Sequence, residues 1–163
     1  MAARPDLREA TRTDHDALGQ LMYDAVQTAT AYTPAQRHAW LSRPHQGPDW
    51  SDRLSGQTVW IAEWADQPVG MMSLESSGNI DLAFIAVDWR KSGLFRALYL
   101  RIEDTARANG YGRLQVEASR MAEPAFKAMG FSILKTDPVA RQGEILHRVI
   151  MEKMLTQGEP AHE

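Results

Sequence analysis

The sequence predicts an α+β fold: a mixed, mostly antiparallel sheet with helices on both faces. Three observations carry that reading. Two runs rich in β-formers, Thr58 to Trp64 and Val69 to Leu74, flank an Asp66-Gln67-Pro68 turn as an antiparallel hairpin. Apolar side chains recur at helical spacing before that hairpin and again from Leu94 onward. A strand–helix–strand step from Ile80 to Ala118 sets two strands parallel, because a helical crossover returns the chain in the same direction.

Bulk properties narrow the class. A chain of 163 residues can bury its own core, and it reads as one domain over 1–163, with polar ends around a core of about 6–154. A net charge of −3 argues against general nucleic-acid binding, which wants a basic face. With no cysteine, disulfides, thiolate metal sites and cysteine nucleophiles are excluded, which suits a reducing cytoplasm, the expected location. The opening MAARPDLREA has no apolar signal-peptide core. No run approaches a membrane span, so no membrane partner is expected.

Taken in order, Leu7 to Thr11 is a short first strand. Thr13 suits a helix N-cap, with Asp16 completing a capping box. Leu18, Leu21, Met22, Ala25 and Val26 then mark one buried face. His15 sits between Asp14 and Asp16, but no second ligand lies at metal-binding spacing, so these read as first-turn charges and no metal is expected. Thr33, Pro34 and Gln36 start a second helix that runs through Trp40 and Leu41 and stops before Pro44. His45 to Asp49 reads as a polar loop and Trp50 to Leu54 as a helical turn. Tyr32, His38, Trp40 and Trp50 either pack in the core or line an acceptor pocket. Ser76 to Asn79 turns the chain into the strand Ile80 to Ala86. Beyond the following helix, stopped by Gly110, come a strand from Arg113 to Ala118 and a short helix from Ala122 to Met129 ended by Gly130. Phe131 to Thr136 and Glu144 to Met154 close the chain as antiparallel strands.

The stretch that organises the rest runs from Ile80 to Ala106. An apolar strand leads through Arg90, Lys91, Ser92 and Gly93 into a helix bearing Leu94, Leu98 and Ile102 on one face. Such a turn aims unpaired backbone N–H groups and the positive end of the helix dipole at one spot, which suits a phosphate or diphosphate. Lys91 and Arg96 add cations beside it. Lys91-Ser92 ends like a P-loop but lacks its preceding glycines, and no G-x-G-x-x-G follows a strand.

At Asp88-Trp89-Arg90-Lys91-Ser92-Gly93-Leu94-Phe95 the chain resembles the GNAT superfamily of acyl-CoA-dependent N-acyltransferases. Its coenzyme loop reads Q/R-x-x-G-x-G/A, and Arg90 and Gly93 match the first two fixed positions. The VGMMSLES–GNIDLAFI hairpin and the VEASRMAEPAFKAMGF segment also fall where that family places them, over roughly residues 6–154. The resemblance implies the GNAT fold and acetyl transfer from acetyl-CoA to the primary amine of a small molecule or peptide. Strand backbone at Phe84, Ile85 and Ala86 would hold the pantetheine arm and thioester. The amides from Lys91 to Arg96, with Ser92, Gly93, Leu94 and Phe95 between them, would meet the coenzyme phosphates. Phe95 stands where the family prefers Gly or Ala, and its ring is expected to turn aside into the core. Phe126 stands where many members carry a tyrosine that protonates the departing thiolate, so that role is unfilled there.

The candidate bases are Asp81, on the strand leading to the thioester, and Glu117, on its neighbour; either is alternatively a satisfied structural carboxylate. Ser119 replaces an asparagine common in the family and would hydrogen-bond the pantetheine or a water. His38, His147 and Glu75 are lesser candidates. Many relatives form homodimers, which makes a homodimer a candidate assembly. The rival readings are a non-catalytic acyl-CoA-binding or regulatory module and a protein-interaction scaffold.

Overall fold

A computed structural model describes residues 4–155. In chain order the elements are β1 (Asp6–Glu9), α1 (His15–Gln27), α2 (Pro34–Trp40), α3 (Gly47–Ser55), β2 (Thr58–Trp64), β3 (Gln67–Leu74), β4 (Asn79–Ile85), α4 (Leu94–Ala108), β5 (Arg113–Ser119), α5 (Glu123–Ala128), β6 (Ser132–Thr136), β7 (Val139–Arg141), β8 (Glu144–Leu146) and β9 (Arg148–Met154). Seven strands form one sheet in the order β1-β2-β3-β4-β5-β9-β6, with β7 and β8 paired apart from it. Every neighbouring pair is antiparallel except β4 and β5, as the strand–helix–strand step requires.

Helices cover both faces. On one, α4 lays Leu94, Leu98 and Ile102 over the sheet, joined by Phe126 of α5 and Phe131. On the other, the predicted α1 face of Leu18, Leu21, Met22, Ala25 and Val26 packs with Trp50 and Leu54 of α3. Both α4 and α5 end on a left-handed glycine. The Tyr111 and Phe131 N–H groups reach back to the Ala106 and Phe126 carbonyls, at 2.9 and 3.1 Å, and satisfy carbonyls a helix end leaves open. Among the described residues no helix is long and apolar enough to cross a membrane.

Four boundaries differ from the sequence reading, each for a local reason. The first capping box is Thr11 with Asp14, not Thr13 with Asp16. Arg8 of β1 holds the Asp14 carboxylate at 2.8 Å while the Thr11 N–H donates to it at 2.7 Å. Helix α3 begins at Gly47 because Pro48 suits the first turn, where no N–H is needed. The hairpin between β2 and β3 turns on Ala65 and Asp66, both at positive φ, so Gln67 and Pro68 already belong to β3. The expected closing strand is split at His147, whose carbonyl leaves the ladder to accept the Tyr32 hydroxyl at 2.9 Å.

Candidate active site

β4 and β5 meet at two positions, Asn79 opposite Gln115 and Ile80 opposite Val116, and then part. A bulge in β4 begins there: Ile80 faces Leu74 and Ala83 faces Met72, leaving Asp81 and Leu82 both opposite Ser73. The buried Ser73 hydroxyl accepts the Leu82 N–H at 3.1 Å in place of a ladder partner. An extra residue bends a strand and re-aims its side chains, so Asp81 turns toward α3.

Past the bulge the backbone alternates. The Ala86 N–H donates to Val69 at 2.9 Å, so Phe84 likewise faces β3, and the N–H groups of Ala83 and Ile85 point into the gap. Of the three residues expected to offer backbone there, Ile85 does, and Ala83 joins it. Phe84 contributes a buried ring to the wall. Ala86 spends its carbonyl as well, on the Trp89 N–H at 2.9 Å.

The expected coenzyme loop follows. Lys91 and Gly93 take φ of 61° and 86°, and α4 begins with the Ala97 N–H donating to the Gly93 carbonyl at 3.1 Å. No amide from Lys91 to Arg96 hydrogen-bonds within the described residues. A Cβ built on Gly93 would meet nothing within 4 Å, so the space beside these amides is open. The loop therefore fits a diphosphate: convergent N–H donors, a helix start, and the exposed Lys91 and Arg96. Phe95 does turn aside, lying edge-on to Phe126 with ring centres 5.0 Å apart.

Arg90 plays another part. Its guanidinium donates to the Ala25 and Thr28 carbonyls at 3.1 and 3.2 Å and to the Thr28 hydroxyl at 3.0 Å, capping the C-terminus of α1. It builds the loop onto α1 rather than facing its open side. Arg90→Met is expected to destabilise the protein by about 1–3 kcal/mol, because it strands buried carbonyls. Arg90→Lys should not rescue it, since one ammonium cannot reproduce the fork. Urea denaturation of both variants checks this.

A cavity of about 370 Å³ lies in the gap between β4 and β5 and is lined from both faces of the sheet. Asp81, Glu117 and Ser119 all line it, as do Phe126 on the α5 side and Tyr32 and Trp40 on the α2 side. Both Asp81 oxygens are occupied: Arg53 donates to each at 2.9 Å, and Gln57 adds a third bond at 2.7 Å. Burial alone would raise its pKa, but these donors outweigh burial and lower it. Glu117 is more exposed and gives one oxygen to Arg148 at 2.9 Å, with Arg148 also held by Asp137 at 2.7 Å. Ser119 accepts the Ala122 N–H at 3.2 Å. The buried Phe126 presents no hydroxyl.

Tyr32 closes the far end of the cavity. Its hydroxyl donates to His147 and accepts the Arg120 N–H at 2.8 Å, bridging β5 to the β8–β9 corner. Burial raises its pKa, against the opposing pull of Arg120 and Ser119. Trp40 stacks edge-on against it at 5.4 Å, so these two aromatics are both core and pocket wall. Trp50 is core, and His38 lines an adjoining cavity. His15 is buried with its Nδ1 2.5 Å from the Ser51 hydroxyl, and Glu75 accepts from Asn79 at 2.8 Å. Arg53, Arg141 and Arg148 went unread in the sequence, because no local pattern marks a long side chain that arrives from a distant element. Among the described residues no group of three or more His, Asp or Glu is arranged to hold a metal.

Comparison with known proteins agrees with this geometry. The family model of the acetyltransferase (GNAT) domain matches residues 28–155. An uncharacterised N-acetyltransferase of Escherichia coli K12, YafP, is 30% identical over 112 residues, covering 69% of each chain. The crystal structure of a GCN5-related N-acetyltransferase from Rhodopseudomonas palustris superposes with a TM-score of 0.86 at 29% identity, over 95% of this chain and 98% of that one. PaiA N-acetyltransferase from Thermoplasma acidophilum, solved in complex with coenzyme A, shares the fold at a TM-score of 0.71 and 13% identity, over 94% and 100% of the two chains. The loop, the parted strands and these matches lead to one statement: the chain belongs to the GNAT acetyltransferase family.

Proposed function

We propose that this protein transfers an acetyl group from acetyl-CoA to the primary amine of a small molecule or peptide. The observation that carries it is the run of unpartnered amides from Lys91 to Arg96, in the turn that follows β4, one wall of the cavity. When bound, acetyl-CoA supplies the acyl carbon and the thiolate leaving group. The amides of Lys91, Ser92, Gly93, Leu94, Phe95 and Arg96 hold its diphosphate. The N–H groups of Ala83 and Ile85 face the pantetheine and the acyl oxygen. A single donor to a developing oxyanion is worth about 10²–10³ in rate.

The amine must lose a proton before it attacks, since alkyl amines are protonated near neutral pH. Glu117 is the better base of the two carboxylates: Asp81 has both oxygens tied and a lowered pKa, whereas Glu117 has Oε1 free of bonds within the described residues. Asp81 then positions Arg53 and the wall of the cavity. Glu117→Gln is expected to lower kcat by about 10²-fold or more with little change in KM. Asp81→Asn should act mainly on KM for the amine. Equal losses in both variants would reject this division of labour.

The direct test of the whole reading is release of CoA thiol from acetyl-CoA across a panel of amines, alongside calorimetry of coenzyme binding. One observation favours a second reading, a non-catalytic acyl-CoA-binding module: Phe126 has no proton to give and both cavity carboxylates are ion-paired. Tight coenzyme binding without turnover would select it.

A further inference from the structure

We infer that the acceptor amine carries a carboxylate, and that Arg141 and Arg43 receive it at the mouth of the cavity on the α2 side. This rests on the acetyltransferase reading and names the class of its second substrate. The carrying observation is an imbalance of charge around that mouth. A second cavity, of about 480 Å³, adjoins the first and shares Trp40, Leu41, His45 and Arg141 with it. Its lining holds Arg43, Arg141, His38 and His45 and not one Asp or Glu, on a chain whose net charge is −3.

The two other arginines of the first cavity are neutralised, Arg53 by Asp81 and Arg148 by Glu117 and Asp137. Arg141 and Arg43 are not: neither pairs with a carboxylate among the described residues. Arg141 donates to the Trp40 carbonyl at 3.1 Å, which uses one of its five N–H groups and leaves the rest of the fork free. Its hairpin is held in place. Gln36 of α2 donates to the Ile145 carbonyl of β8 at 3.0 Å, and Tyr32 holds His147 just beyond. A guanidinium at the rim of the cavity, tethered to the Trp40 carbonyl and with no carboxylate paired to it among the described residues, matches a carboxylate in planar two-point geometry. Glu117 lines the first cavity, which Arg141 also lines, so an amine and a carboxylate on one acceptor each find an opposite charge. The carbon frame between them would lie on Trp40, Leu41 and Met22.

The test compares amino acids with the amines left when their carboxyl group is removed: phenylalanine with phenethylamine, γ-aminobutyrate with propylamine, and 6-aminohexanoate with pentylamine. The pairs set the carboxylate at increasing distance from the nitrogen. In at least one pair the carboxylate-bearing member should exceed its twin in kcat/KM by about tenfold to a hundredfold, the worth of a charged hydrogen bond. Arg141→Gln should erase that advantage by raising KM for the carboxylate alone, leaving the twin and acetyl-CoA affinity unchanged. Arg43→Gln, on an exposed loop, should weaken the preference without touching the fold. Equal or better turnover of the bare amine in every pair overturns the inference. So does an Arg141→Gln loss shared by both twins, or no turnover of any pair while calorimetry still shows acetyl-CoA bound. Absence of acetyl-CoA binding instead overturns the acetyltransferase reading itself.

Discussion

Gly93→Glu is expected to weaken acetyl-CoA binding by at least a hundredfold. Two effects act at one atom. Gly93 sits at φ 86°, a conformation that costs an L-residue roughly 1–2 kcal/mol. A carboxylate there would also stand beside a diphosphate: two unit charges about 6 Å apart repel by roughly 3 kcal/mol at a surface-like dielectric. Strain falls on free and bound protein alike, so it lowers stability. Repulsion falls on the bound state and lowers affinity, by about tenfold per 1.4 kcal/mol. Gly93→Ala separates the two. A Cβ there meets nothing within 4 Å, so alanine should cost stability yet leave affinity within a few-fold of the parent. Calorimetry and thermal melts on the pair read both quantities. Wild-type affinity in Gly93→Glu would mean that the diphosphate lies elsewhere.

The strand–turn–helix around Lys91 to Arg96 was legible in the sequence because its geometry is local. A strand, a short turn and a helix start within a few residues determine where the amides point, and no distant element is needed. The same holds for α2, whose Thr33 and Gln36 cap each other at 3.1 and 2.9 Å as their spacing predicts. What the sequence could not show depends on contacts between remote segments. The cap read at Thr13 falls instead at Thr11, because Arg8, itself held by Glu63 at 2.7 Å, fixes Asp14. The cavity is harder still to read, being the place where two strands stop pairing, and a missing ladder has no residue pattern. Asp81 and Glu117 were legible as candidate carboxylates, and both line the cavity, but their availability turns on Arg53 and Arg148, which tertiary structure alone brings to them.

The largest loss of stability should come from Glu103, an α4 side chain with no solvent exposure. Tyr99 donates to it at 2.6 Å, Lys153 of β9 at 2.7 Å and Arg107 at 3.4 Å. Burial, and then Glu103 itself, pushes the Tyr99 phenol well above its ordinary value, so it remains a donor. Glu103→Leu removes the carboxylate that these groups share and leaves the partly buried Lys153 ammonium without that counter-charge. Breaking a buried pair from one side typically costs about 3–5 kcal/mol, a large share of the 5–15 kcal/mol that holds a typical domain together. Urea denaturation should show the midpoint fall by roughly 1–3 M at the slopes common for small proteins. Adding Lys153→Met should recover about half of the loss, because the stranded cation leaves with its partner. A single-variant cost below about 1 kcal/mol would show that water or a shifted side chain compensates the site. Lys153 also donates to the Met129 carbonyl at 2.9 Å, so this cluster ties α4 and the end of α5 to β9. The amides from Lys91 to Arg96 open from the other end of α4, and their aim depends on that anchor. Glu103→Leu should therefore weaken acetyl-CoA binding as well, by less than Gly93→Glu does and without altering the preference among acceptors.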